Sequence, residues 1–173
     1  MVQFLPRLRR FAYALTGDWD KGDDLVQETC SRALARVDQF QPGTSLESWM
    51  FRIAQNIWID QVRQAKTRGT VVDIEEAYDL VGSDGRQVTE TRLTLEAVNR
   101  AIAQLPADLR ILIALTSIDG RTYQQAAEIV QTPIETVMSR LARARKKLHE
   151  LLGQELSRDG VSGMEAFNAR PNR

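Results

Sequence analysis

The sequence predicts an all-α fold: two small helical domains joined by a flexible linker. Three observations predict it. Apolar residues recur at intervals of three and four wherever a pattern exists, and the alternation of a half-buried strand is almost absent. The pattern lapses over 66–88, where Gly69, Gly82 and Gly85 stand among scattered acidic residues. The chain has 173 residues, 43% of them apolar, which suits one medium domain or two small ones. The expected units are 1–67, a linker over 68–88, 89–153, and a tail over 154–173 that is expected to fray.

A first helix is expected from Phe4 to Leu15. Phe4, Leu5, Leu8, Phe11, Ala12 and Leu15 share a face, and Thr16-Gly17-Asp18 stops it. A second runs from about Lys21 to Val37, with Leu25, Val26, Cys30, Ala33, Leu34 and Val37 on its apolar face. Asp20 or Asp23 is the expected cap, and Asp20, Asp23 and Asp24 suit the positive end of the helix dipole. Gln41-Pro42-Gly43-Thr44 is a loop. Thr44 or Ser45 then opens a third helix that reaches about Ala65, with Leu46, Trp49, Met50, Ile53, Ile57 and Val62 as its buried stripe. A short helical piece is expected near Ile74–Leu80. Helices resume near Thr89: Leu93, Leu95, Val98, Ile102 and Leu105 make one, stopped by Pro106. Leu109, Ile111, Leu112, Ile113 and Leu115 make the next, ended by Asp119-Gly120. Thr122–Val130 and Pro133–Leu152 complete the order.

The 23 basic and 23 acidic residues cancel, which argues against a chain-wide nucleic-acid coat. The distribution is uneven. Residues 66–95 are net −2 and residues 96–173 net +2, while Ile134–Lys147 sets Arg140, Arg143, Arg145, Lys146 and Lys147 against Glu135 alone. No run of about 18 uncharged apolar residues is present, so membrane insertion is not expected. Without a signal-like start, and with Cys30 as the sole cysteine, a cytoplasmic location is expected.

Thr122–Lys147 has the pattern of a helix-turn-helix. Thr122 and Gln125 form a capping-box pair, and Ala126, Ala127 and Val130 keep the first helix small where a second must cross. Gln131-Thr132-Pro133 is a short turn with proline at the start of the next helix. Val137, Leu141 and Ala144 face inward. Thr136, Ser139, Arg140, Arg143 and Lys147 face outward and offer the hydroxyls and guanidinium groups that a DNA major groove takes. A solvated basic face is the plainer alternative. The third expected helix sets Trp49, Phe51 and Trp58 near Arg52, Asn56, Asp60 and Arg63, chemistry that suits unpaired bases. Core packing is the competing account, favoured for Trp49 and left open for Phe51, Trp58 and Asn56. Catalysis has no support: His149 lies in a charged helix, and no metal-ligand spacing, nucleophile motif or phosphate loop occurs. No cofactor is expected.

These residues resemble those of a known family. Asp23-Asp24-Leu25-Val26-Gln27-Glu28-Thr29 resembles the sigma region 2 signature, and Ser48-Trp49-Met50-Phe51-Arg52-Ile53-Ala54-Gln55-Asn56 resembles the promoter-melting segment that follows it. Leu105–Arg110, Gly120–Tyr123 and Thr136–Arg145 are similar to region 4. The likeness covers about 1–65 and 90–152 in the correct order, without an obvious region 1 or region 3. That is the pattern of extracytoplasmic-function (ECF) sigma factors of the sigma-70 family.

The resemblance implies two readers and several partners. Region 2 would recognise and open the −10 element, with Asn56 at or near the pocket of a flipped base, Phe40 to Ser45 as the specificity loop, and Trp49, Phe51, Arg52 and Arg63 beside them. Region 4 would read the −35 element through Met138, Ser139, Ala142 and Arg143, flanked by Thr136, Arg140 and Lys147, and would sit on the polymerase flap. Asp23, Asp24, Gln27 and Glu28 would touch the clamp helices of core RNA polymerase. Promoter DNA and an anti-sigma factor are the other implied partners. Three positions depart from the family pattern. Cys30 replaces a large aromatic. Gln131 replaces a turn glycine, where a left-handed backbone is less tolerated. Glu135 replaces a glycine at the start of the reading helix and should weaken −35 affinity by repelling phosphate. Two rivals remain: a sigma mimic that sequesters a regulator, and a stand-alone helix-turn-helix regulator.

Overall fold

The structure, a computed structural model, describes residues 4–68 and 86–158. The described residues form helices and turns without a strand. The helix expected near Ile74–Leu80 lies outside them, as does the tail beyond Arg158.

The first unit is α1 (Leu5–Thr16), α2 (Trp19–Ala35) and α3 (Leu46–Thr67), with a short 3₁₀ turn at Val37–Gln39. Gly17 ends α1 in the left-handed region at φ 73°, its N–H donating to the Tyr13 carbonyl. The cap of α2 is Asp18, not Asp20 or Asp23: its side chain accepts from the Lys21 N–H at 2.8 Å. The helix therefore starts at Trp19, two residues before the expected Lys21. Ser45 caps α3 by accepting from the Ser48 N–H. At Gly22 a Cβ would lie 3.3 Å from the Tyr13 backbone nitrogen, so α1 and α2 cross closely there and a side chain would press on the α1 backbone.

Leu8, Phe11, Ala12 and Leu15 of α1 meet Leu25 and Ala33 of α2 and Met50, Phe51, Ala54, Ile57 and Trp58 of α3. Phe11 and Phe51 pack with ring centroids 4.9 Å apart, tilted by 46°. Leu34 and Val37, expected on the apolar face of α2, are instead exposed, because the helix ends at Ala35 just as its stripe leaves the core.

The second unit is α4 (Arg86–Ala103), α5 (Ala107–Ile113), α6 (Tyr123–Val130) and α7 (Ile134–Arg158). Helix α7 continues past Gly153, where a fraying tail was expected. Helix α5 widens into one π turn over Ala114–Ile118, closed by the Asp119 N–H on the Ala114 carbonyl. Gly120 then reverses the chain at φ 75° and delivers Thr122 to the start of α6. Thr122 and Gln125 form the expected capping box in both directions. Gln131, at φ 53° and ψ 48°, takes the left-handed conformation that favours glycine, and its N–H and that of Thr132 both donate to the Ala127 carbonyl. Val137, Leu141, Ala144 and Leu148 of α7 close the core with Ala126, Ala127 and Ile129 of α6.

The two units pack on one another and their cores are continuous. Helix α3 lies against α6, and α1 lies against the π turn.

Candidate nucleic-acid and polymerase interfaces

Helix α7 presents an open face. Met138 is 53% exposed, and Ser139, Ala142, Arg143 and Lys147 are exposed with it at i, i+1, i+4, i+5 and i+9. Val137, Leu141 and Ala144, fully buried, fix that face outward. Glu135 is exposed one turn before it. Two residues expected among the readers are half-buried. Arg140 turns toward Asp108 of α5, 3.7 Å away. Thr136 is the other, and its main-chain carbonyl accepts from the Ser139 hydroxyl. Sequence reasoning missed Arg145, which donates to the Tyr123 hydroxyl at 2.7 Å and lies over that ring, binding α7 to the start of α6. Spacing alone gives no sign of the pair, because 22 residues separate its members.

Helix α3 is divided between two environments. Asn56 and Arg63 are exposed, and Ser45 is exposed at its cap. Trp49 is half-buried and packs on Phe40, ring centroids 5.3 Å apart, which ties the loop before α3 to the helix. Phe51, expected beside the DNA, is instead fully buried, between the Phe11 ring and the Arg121 guanidinium 4.8 Å from its centroid. It cannot stack on a base in this arrangement. Arg52 turns away from Asn56 and donates to the Glu128 carbonyl at 2.8 Å. Trp58 is buried under Arg110. Asn56 is thus left in solvent, as are Gln61 and Gln64 further along α3, whereas Gln55 beside it is buried against α6.

On α2, Asp24 and Gln27 are exposed. Asp23 is half-buried and takes two 2.7 Å hydrogen bonds from Arg9, which hold that guanidinium's pKa above its ordinary value. Glu28 accepts from Arg32 at 2.6 Å and from Gln61 of α3 at 3.3 Å. Two of the four expected polymerase contacts are therefore free and two are held in internal pairs. Among the described residues no cluster of His, Cys, Asp and Glu could hold a metal ion, and no helix is long and apolar enough to cross a membrane.

Residues 1–55 match the family model described as the Sigma2 domain of PhyR, and residues 95–148 match Sigma-70, region 4. The chain is 38% identical over 148 residues to the ECF RNA polymerase sigma factor EcfG of Rhodopseudomonas palustris, covering 86% of this chain and 80% of that one. The chain belongs to the ECF sigma factors. Among solved structures it is similar to the sigma factor RpoE in complex with the anti-sigma factor NepR from Bartonella quintana. That match has a TM-score of 0.66 and 35% identity, and covers 86% of this chain and 91% of that one. The anti-anti-sigma factor PhyR from the same organism shares the fold at TM-score 0.59 and 16% identity, over 86% of this chain and 47% of that one. In this ECF sigma factor the region 2 match takes in α1, α2 and the first part of α3, and the region 4 match runs from within α4 into α7.

Proposed function

We propose that this ECF sigma factor carries core RNA polymerase to promoters through two readers and takes no catalytic part itself. Helix α7 reads the −35 element with Met138, Ser139, Ala142 and Arg143, with Lys147 on phosphate and Thr136 and Arg140 bracing the face. Region 2 opens the −10 element by capturing an unpaired base at Asn56, bordered by Phe40, Ser45, Trp49, Arg52 and Arg63. Asp24 and Gln27, with Asp23 and Glu28 behind them, dock on the clamp helices. An anti-sigma factor would cover these surfaces; the RpoE relative was solved in complex with one, NepR. The supporting observation is that α7 holds its reading residues in solvent while α3 holds Asn56 there, and neither is required by the core.

Run-off transcription with purified core polymerase and a promoter library tests this. Specific transcripts should form, and Asn56→Ala should reduce them roughly tenfold or more, the scale of one base-edge contact. Undiminished transcripts would remove Asn56 from promoter opening.

A second reading is a sigma mimic that binds an anti-sigma factor without initiating. The match of residues 1–55 to a PhyR-type region 2 favours it, and so does the acidic Glu135 at the reading helix. Polymerase binding without any transcript would select it.

A further inference from the structure

Helix α7 sorts its exposed residues into two rows. Met138 and Ala142 stand at i and i+4, and Ser139 and Arg143 stand beside them at i+1 and i+5. Val137, Leu141 and Ala144 on the opposite side are fully buried, so neither row can turn inward. The first row is apolar. Met138, 53% exposed, is the large apolar side chain that α7 leaves outside the core among the described residues, and Ala142 extends it by a methyl group. The second row carries a hydroxyl and a guanidinium.

The polar groups around the rows are unequally available. Arg140 is drawn toward Asp108, and Arg145 donates to the Tyr123 hydroxyl while its guanidinium lies over that ring. Arg143, Lys146 and Lys147 are exposed, with Lys146 about two turns beyond Ser139 on the middle of the open face. Ser139 has already committed its proton. Its hydroxyl donates to the Thr136 carbonyl at 3.0 Å, which leaves an oxygen able to accept.

These side chains set what a base edge must offer. In the major groove thymine alone presents a methyl group, guanine presents two acceptors, and adenine and cytosine present amino donors. Arg143 suits guanine, and the Ser139 oxygen suits an amino group. The Met138–Ala142 row offers no donor. A polar edge pressed against it would lose water and gain no partner, whereas a thymine methyl is favourably buried there. At ~1.5 Å per residue, Met138 and Ala142 lie about 6 Å apart along the helix axis. One base-pair step is ~3.4 Å, so the row spans about two steps.

We propose that the Met138–Ala142 row reads thymine methyl groups, two of them on one strand within three successive base pairs of the −35 element, beside a guanine taken by Arg143. The inference rests on α7 being the −35 reader, as proposed above, and names the bases that reader takes. Its test replaces thymine by deoxyuridine, which lacks the 5-methyl group and keeps every hydrogen bond. Duplexes preferred by the full chain, alone and with core polymerase, are selected from a randomised pool, and the thymines of the enriched element are replaced singly. The element should carry the two thymines. Deoxyuridine at either should weaken binding about three- to fourfold in fluorescence anisotropy at fixed salt, the scale of one buried methyl group. Met138→Ala should abolish the deoxyuridine effect at one position and Ala142→Gly at the other. Comparing the two duplexes cancels any cost to the helix itself. Lys146→Gln should instead weaken both duplexes alike and lower the salt slope by about one.

An enriched element without such thymines would overturn the inference, and so would deoxyuridine duplexes that bind as tightly as thymine ones. Met138→Ala protein that loses the same factor on both duplexes would overturn it too, as would a deoxyuridine effect abolished equally by Lys146→Gln. The function can fail separately. If core polymerase yields no transcript from promoters carrying the selected element while deoxyuridine still weakens duplex binding, the thymine reading stands and the initiation reading falls.

Discussion

Met138 on α7 is half exposed and Phe51 on α3 is fully buried, though both lie in segments that resemble DNA-contacting parts of the family. The difference comes from what packs behind each helix. Helix α7 has one partner layer, so its outward face is free. Helix α3 has two, the region 2 core on one side and α6 on the other. The open face of α7, the proposed −35 reader, is therefore available in this arrangement, and most of α3 is structural, with Asn56 left at its open edge.

The sharpest way to break that comparison is Phe51→Ala. A buried aromatic should cost about 3–5 kcal/mol of stability on truncation, read in urea or thermal unfolding. A stacker on DNA would instead lower transcription while the melt stayed unchanged. On the open side, Arg143→Ala should cost about 1–3 kcal/mol in −35 duplex affinity with stability intact, measured by fluorescence anisotropy at fixed salt. A stability loss without an affinity loss would put Arg143 in the fold instead of the reader. Gln131→Gly relieves a left-handed residue and should stabilise region 4 by about 1 kcal/mol. A lower melting temperature would mean that the Gln131 side chain contributes more than its strain costs. The smallest effect expected is for Glu135→Gly, a gain of about threefold in −35 affinity, the scale of one exposed charge interaction. Unchanged or weaker binding would remove Glu135 as the repulsive element.

Much of the fold was legible because its signals are local. The Thr122–Gln125 capping box, the Ser45 cap and the stop at Gly17 depend on residues within one turn. Where local rules compete, legibility drops. Asp18, Asp20 and Asp23 are equivalent by composition, and the backbone turn after Gly17 selects Asp18. Leu34 in the last turn of α2 and Val37 just beyond it continue the apolar period of that helix, so periodicity placed them inside while the structure leaves them out. The open face of α7 could be read because its buried positions repeat so regularly. Arg140 could not, since Asp108 approaches it from a separate helix. Phe51, Trp58 and Arg52 were misjudged or left undecided for the same reason: their contacts with Arg121, Arg110 and Glu128 join distant parts of the chain and carry no period. Asp119 was read as part of a helix stop, when its carboxylate is buried between Arg7 and Arg121.

Three hydrogen bonds between the two units, given by Arg110, Arg52 and Gln55, end on main-chain oxygens, those of Leu15, Glu128 and Ile129. A main-chain oxygen is the same whichever residue carries it. Substitution at any of those three positions leaves the acceptor in place, so hereditary change can adjust these bonds only from the donor side, at Arg52, Gln55 and Arg110. Drift at the accepting helix ends is therefore tolerated, while the same drift at three donor codons would change how the two units are joined.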